Sequence, residues 1–205
     1  MSEYVMPTRP PQEGWDLHCH TVFSDGTRTP REMVQEAKSL GLHGVAIADH
    51  DTTAGWEEAG QASHDLHLPL MRGTEITAQD GNVSVHMLAY LYDPRNRHIC
   101  DLFEKTRRSR VERTKKMVAL LAKDYPISWQ SVLEQTKEGS RTTIGRPHIA
   151  DALVAAGVYA NRNEAFADAV STHSKYYIPT PSPSTSEVVR AAVSYTHLRA
   201  HETRG

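Results

Sequence analysis

From Trp15 to Tyr92 the chain alternates short apolar runs with stretches of helical periodicity. Asp16-Leu17-His18-Cys19-His20 reads as a short strand. Thr29-Pro30-Arg31-Glu32 is a helix start: Thr29 can cap, Pro30 suits the first turn, and Glu32 closes a capping box. Met33, Val34, Ala37 and Leu40 give that helix one apolar face, and Gly41 stops it. Gly44 to Ala48 is a short, wholly apolar strand that must be buried on both faces. A second helix is predicted from about Thr53 to His64, then strands near Leu68–Arg72 and over Val83–Tyr90. Strands alternating with helices predict an α/β fold with a parallel sheet, open or closed into a barrel.

From Ile99 the pattern changes. Ile99, Leu102, Phe103, Thr106, Met117, Leu120 and Leu121 mark one long helix ending near Asp124 and Pro126. Pro147 to Ala156 and Glu164 to Val170 predict two more helices, with Gly157 between them. No strand interrupts this stretch, which is read as an α-helical insertion. Thr180 to Ser186 is a connector, and Glu187 to Val193 starts another helix. The expected organisation is an N-terminal extension over 1–14, the first part of a barrel over 15–98, the insertion over 99–178, and a return towards the barrel over 179–193.

Composition narrows this little. The apolar fraction of 39% and charged fraction of 23% describe a folded chain, and a formal net charge of −2 argues for no particular polyanionic partner. Cys19 and Cys100 make no disulfide framework, so a reducing cytoplasm is the expected setting. Neither a leader peptide nor a membrane-spanning run is read, so no membrane association is expected.

The twelve histidines matter through their placement. His18 and His20, two apart on a strand, leave the same face and converge, while Cys19 points the other way. Asp25 sits in Ser24-Asp25-Gly26, a turn that lets a carboxylate reach back. His50 stands just beyond the apolar strand, where parallel α/β sheets place their sites. Glu75 follows the next strand, and a bridging carboxylate is a common way to hold two cations close together. His86 lies on or near the strand after it. Singly, each has a plain explanation, such as a hydrogen-bonded histidine or an Asp that merely forms a turn. Together they point to metal binding, because the fold gathers strand ends.

Asp16-Leu17-His18-Cys19-His20-Thr21 with Ser24-Asp25-Gly26, then Ala48-Asp49-His50-Asp51, Gly73-Thr74-Glu75 and His86, resembles the PHP (polymerase and histidinol phosphatase) superfamily. The resemblance is greatest to its bacterial nucleoside 3',5'-bisphosphate phosphatase and RNA 5'-exonuclease branch. It implies a distorted (β/α)7 barrel and a metal-dependent phosphoesterase with two or three divalent ions, Mn foremost, with Zn or Fe as alternatives. By resemblance, His18, His20 and Glu75 hold the first ion, Glu75 and His86 serve the second, and Asp25 and His50 the third. Cations there would yield a metal-activated hydroxide near neutral pH and clamp the phosphoryl oxygens. The implied substrate is a small phosphate mono- or diester of a nucleotide or short RNA.

Arg146 and His148, in Gly145-Arg146-Pro147-His148, open a helix and are candidates for binding the substrate phosphate. The branch carries the same Arg-Pro-His. Alternatively they are only a helix start, with Arg146 exposed and His148 packed. The basic run Lys105, Arg107, Arg108, Arg110, Arg113, Lys115 and Lys116 is read as a solvated helix face, with attraction of phosphorylated substrates or RNA as the second reading.

The resemblance also implies three further ligands after the insertion, in an Ala-His-Pro type segment and a closing Asp-x-His, and residues 179–205 contain neither. Residues 194–205, with His197 and His201, resemble translated adaptor or vector sequence and are read as a non-native tail. The barrel is therefore expected to be incomplete, and the chain weakly active or inactive although its parent is an enzyme. Two other readings stay open: a PHP phosphatase for another small ester such as histidinol phosphate, and a non-catalytic metal-binding or regulatory module.

Overall fold

The capping box at Thr29 forms as its residues dictate. The Thr29 side chain accepts from the Glu32 amide, and the Glu32 carboxylate accepts from the Thr29 amide at 2.8 Å. Helix α1 (Pro30–Ser39) follows, burying Met33, Val34 and Ala37, and Gly41 turns the chain out of it at φ 77°. This is a computed structural model that describes residues 14–81 and 83–193. Most of the N-terminal extension, and the whole 194–205 tail with His197 and His201, lie outside those residues.

Strands β1 (Trp15–Cys19) and β2 (Gly44–Ile47) flank α1; helix α2 (Trp56–Leu66), then β3 (Leu70–Asp80) and β4 (Val83–Tyr90), complete an α/β layer. The sheet order is β1-β2-β3-β4. The first three strands are parallel, as expected, but β4 runs antiparallel to β3. Only Gly81 and Asn82 separate Asp80 from Val83, and a parallel crossover needs a dozen residues or more. Asp80-Gly81 is the hairpin signal that a uniformly parallel reading passed over. The sheet curls: the Tyr90 hydroxyl on β4 donates to the Leu17 carbonyl on β1 at 2.5 Å. Gly73 permits this, since a Cβ there would overlap the Tyr90 ring.

Strand β3 is also longer than expected, and Glu75 lies within it rather than after it. The period of two explains why. Ile76 and Ala78 face the helices, while Glu75 and Thr77 face the concave side. On β2, all of Gly44 to Ile47 is buried, as its unbroken apolar run demands.

Helix α3 (Arg97–Leu121) belongs to two cores. Its first turns place Ile99 and Phe103 against the outer face of the sheet with α1, α2 and α7 (Thr185–Val193). Its last turns place Met117, Val118 and Leu121 in a second core with α4 (Trp129–Leu133), α5 (Arg146–Ala155) and α6 (Arg162–Ala167). The first cluster packs α3 and α7 on the sheet, while the second, which holds no strand residue, packs the helices on one another. Helix α4 and a short 3-10 turn at Gly139–Arg141 went unread in the sequence, being too short to show periodicity. Both cysteines are free thiols, and among the described residues no helix is long and apolar enough to cross a membrane.

Candidate metal centre

The concave face of the sheet gathers the six candidate ligands. His18 sits on β1 and His20 just past its end; their Nε2 atoms lie 3.0 Å apart. Cys19 packs outward against the core, as alternation requires. The Glu75 carboxylate is the hub. Its Oε2 lies 2.7 Å from His18 Nε2, 2.9 Å from His20 Nε2 and 3.9 Å from His50 Nδ1, while its Oε1 meets His86 Nδ1 at 2.6 Å. His50 reaches this place because residues 48–51 run on beside β3: Ala48 O and Asp49 O accept from the Glu75 amide, and Glu75 O accepts from the Asp51 amide.

Asp25 closes the other side. Its Oδ1 is 3.1 Å from His20 Nδ1 and its Oδ2 3.6 Å from His50 Nε2. Its turn is anchored by Asp49, whose buried carboxylate accepts from the Thr21 amide at 2.7 Å, the Thr21 hydroxyl at 2.6 Å and the Ser24 hydroxyl at 2.6 Å. Gly26 is required here, because a Cβ would overlap the His20 carbonyl. Asp49 is thus a structural partner of the site that the Ala-Asp-His-Asp run did not reveal as such.

Three overlapping triads result: His18, His20 and Glu75; His20, Asp25 and His50; and His50, Glu75 and His86. The pairings implied by resemblance recur in them, with His50 joining Glu75 and His86, and His20 joining Asp25 and His50. The donor set suits divalent cations: four imidazoles and two carboxylates, with Glu75 able to bridge. His50 Nδ1 is buried without a hydrogen-bond partner, which is costly for a polar atom unless a ligand satisfies it. The residues fit the group.

The electrostatics show the strain of crowding these groups. Burial disfavours charge on His20, but hydrogen bonds with Asp25 and Glu75 overcome it and push its pKa up to about 10. Burial would raise Asp25 and Glu75; the surrounding histidines win and hold both carboxylates well below their ordinary range. His50 goes the other way, lowered to about 4 by burial and by nearby Arg110. A neutral imidazole is the form that binds metal.

Beside the triads opens a cavity of about 270 Å³, lined by Asp25, His50 and His86 together with Arg110, Arg113 and Arg146. The basic run on α3 is therefore not wholly a solvated face. Arg110 is buried against Asp51, Nε to Oδ2 at 3.0 Å, and its Nη2 donates to Thr77 Oγ1 at 2.7 Å. Arg113 donates to the Ile178 carbonyl and lies over the Tyr177 ring; burial lowers its pKa to about 10, and its two arginine neighbours add to that. Arg146 donates to the Val170 carbonyl and stacks between Phe166 and Tyr177. Among the described residues neither Arg113 nor Arg146 has an ion-pair partner. Three-residue spacing was the available signal, since Arg107, Arg110 and Arg113 share a helix stripe.

Arg146 and His148 part company. Arg146 enters this cavity, whereas His148 is buried, accepts from the Gly145 amide at 3.2 Å, and lines a second cavity behind the Asp25 turn. Two residues apart on a helix are about 200° apart around its axis.

Comparison with known proteins now decides the family: the profile of the PHP domain matches residues 16–178. The chain belongs to the PHP domain family. Within it, the chain is 29% identical over 152 residues to a 5'-3' exoribonuclease of Haemophilus influenzae, covering 74% of this chain and 54% of that protein. It is 33% identical over 106 residues to a 3',5'-nucleoside bisphosphate phosphatase of Chromobacterium violaceum, covering 52% and 37%. A crystal structure from Bifidobacterium adolescentis, assigned to the metal-dependent phosphoesterases, is 68% identical with a TM-score of 0.87 over 90% of this chain and 64% of that one. A Chromobacterium violaceum structure described as an amidohydrolase, with bound sulfate and no metal, is 27% identical with a TM-score of 0.80, over 88% and 63%. The chain thus spans little more than half the length of the exoribonucleases it matches. A PHP half-barrel whose concave face carries the six residues accounts for both the sheet's curl and the histidine placement.

Proposed function

We propose that the protein is a metal-dependent phosphoesterase acting on nucleotides with more than one phosphate, or on short RNA ends. The observation that carries this reading is the shared cavity, which Asp25, His50 and His86 line together with Arg110, Arg113 and Arg146. His18, His20, Asp25, His50, Glu75 and His86 would hold the ions. Bound there, divalent cations would supply Lewis acidity, acidifying water and neutralising phosphoryl oxygens.

The chain's own residues supply position and charge. Glu75, with oxygens facing both His18 and His86, keeps two triads a carboxylate apart. Arg113 and Arg146, short of acidic partners, offer guanidinium forks for a phosphate that is not being cleaved. Arg110, neutralised by Asp51, lines the same cavity. Tyr177 and Phe166, over which Arg113 and Arg146 pack, line the same cavity and hold those guanidinium groups in place. The names of the bisphosphate phosphatase and exoribonuclease relatives support a substrate of this class.

The test is phosphate release from a nucleoside 3',5'-bisphosphate, the matching 5'-monophosphate and a short 5'-phosphorylated RNA, with Mn2+ and with chelator. Weak hydrolysis, as an incomplete barrel would allow, that needs Mn2+, prefers the doubly phosphorylated substrate and disappears in His20→Ala is expected. Hydrolysis indifferent to both chelator and His20→Ala would sink the reading.

A further inference from the structure

The loop that carries Asp25 is gripped from outside the sheet. Four of its carbonyl oxygens accept hydrogen bonds from the helical stretch between Lys137 and Arg162. Val22 O takes Thr142 Oγ1 at 3.0 Å and Phe23 O takes the Thr143 amide at 2.8 Å. Asp25 O takes Arg162 Nη1 at 2.9 Å, and Thr27 O takes Lys137 Nζ at 2.7 Å. On the sheet side, Asp49 holds Thr21 and Ser24. The loop is therefore clamped between two layers, and the contact at Asp25 itself comes from Arg162.

That contact is oriented. Arg162 opens α6 and forms a bidentate pair with Asp151 of α5, Nε to Oδ1 and Nη2 to Oδ2, both at 2.5 Å. Two parallel bonds fix the plane of a guanidinium, so the third nitrogen has little freedom. All three nitrogens of Arg162 are then committed, two to Asp151 and one to Asp25. The pair is partly buried, in the cavity that His148 and Gly26 also line, so it is less screened than a surface pair.

We infer that Arg162, oriented by Asp151, is a positioning residue for the metal centre: by holding the Asp25 carbonyl it sets where the Asp25 carboxylate meets His20 and His50. The helical layer thus does more than cover the sheet. It fixes the backbone of one ligand at Asp25 itself, within a loop also held at Val22, Phe23 and Thr27. Outer-shell partners of this kind commonly govern metal affinity. The inference rests on the proposed metal centre, so its test must separate the two.

Mn2+ titration of the full chain, followed by calorimetry and by the Mn2+ electron paramagnetic resonance signal, makes that separation. Asp25 belongs to one triad only, so Arg162→Met should weaken one class of Mn2+ by about 10- to 100-fold and leave the others in place. Arg162→Lys, which keeps a donor for Asp25 O but cannot pair bidentately, should fall between. Asp151→Asn should resemble it. Arg31→Met, which breaks the exposed Arg31–Asp65 pair, should change nothing. Arg162→Met binding Mn2+ like the parent overturns the inference, as does an equal loss of every class with no recovery in Arg162→Lys. Should Arg162→Met not fold, the lysine and Asp151→Asn variants carry the same comparison. A parent chain that binds no divalent ion overturns the metal centre and this inference with it.

Discussion

Arg110 on α3 reaches the fully buried carboxylate of Asp51, with Nε 3.0 Å from Oδ2. The pair joins the helical layer to the end of β2 beside His50. Asp51 also accepts from the Thr77 amide at 2.9 Å and hydroxyl at 2.7 Å, and it sits at φ 50°, a backbone state that Asp tolerates better than most residues. Removing one partner leaves the other charge buried. Arg110→Met should therefore lower unfolding free energy by about 3 kcal/mol. Urea unfolding checks this, and Arg110→Met with Asp51→Asn should recover part of the loss. An unchanged midpoint in the single variant would show that the pair is not buried in solution.

Glu75 takes part in two of the three triads, so its loss should be felt by more than one ion. Glu75→Gln keeps the shape but removes the negative charge. Metal content after dialysis against Mn2+ should fall by more than in Asp25→Asn, which touches one triad. Equal content in both variants would contradict the hub geometry.

Protons and metal compete for His20. In the metal-free chain its pKa is raised to about 10, so its contribution to stability is complete below about 6.5 and is lost as pH rises towards 10. The depressed Asp25 and Glu75 act oppositely, stabilising above their ordinary carboxylate range and losing this as pH falls. Metal-free stability should therefore peak in weakly acidic solution. Since metal must displace the His20 proton, Mn2+ affinity should rise with pH by up to about tenfold per unit between 7 and 9. Calorimetry in buffers of different ionisation enthalpy measures the proton released; affinity that is flat over this range would show that His20 is already neutral.

The arginine wall makes a separate forecast. Arg113→Met and Arg146→Met should each weaken binding of a nucleoside bisphosphate by about tenfold or more, as expected for a lost charge-assisted hydrogen bond. Binding of inorganic phosphate at the metal cluster should change much less. A uniform loss for both ligands would place the arginines on the cleaved phosphate instead.

His18, His20, His50, Glu75 and His86 were legible as a candidate set because they stand on or beside strands whose ends converge, and Asp25 because the Ser24-Asp25-Gly26 turn follows the first of them. The Thr29 capping box, the Gly41 stop and the apolar run of β2 were equally legible, being matters of local chemistry. The direction of β4 and the length of β3 differ from the sequence reading: that strand was placed over Leu68–Arg72, short of Glu75, and Asp80-Gly81 was passed over. The α3 arginines were misjudged for a different reason. Charge on a helix looks the same in sequence whether it meets water or a buried Asp51.

By itself, then, the order of residues determined most of the elements, the family and which six side chains were candidates for one site, because periodicity, caps and motif spacing are written within a few residues of one another. Only the tertiary structure decided that Arg110, Arg113 and Arg146 share a cavity with the histidines, that Arg146 and His148 face different spaces, and that Arg162 reaches Asp25. Those contacts join segments up to 137 positions apart, and a pairing at that separation depends on how the layers pack rather than on any local preference.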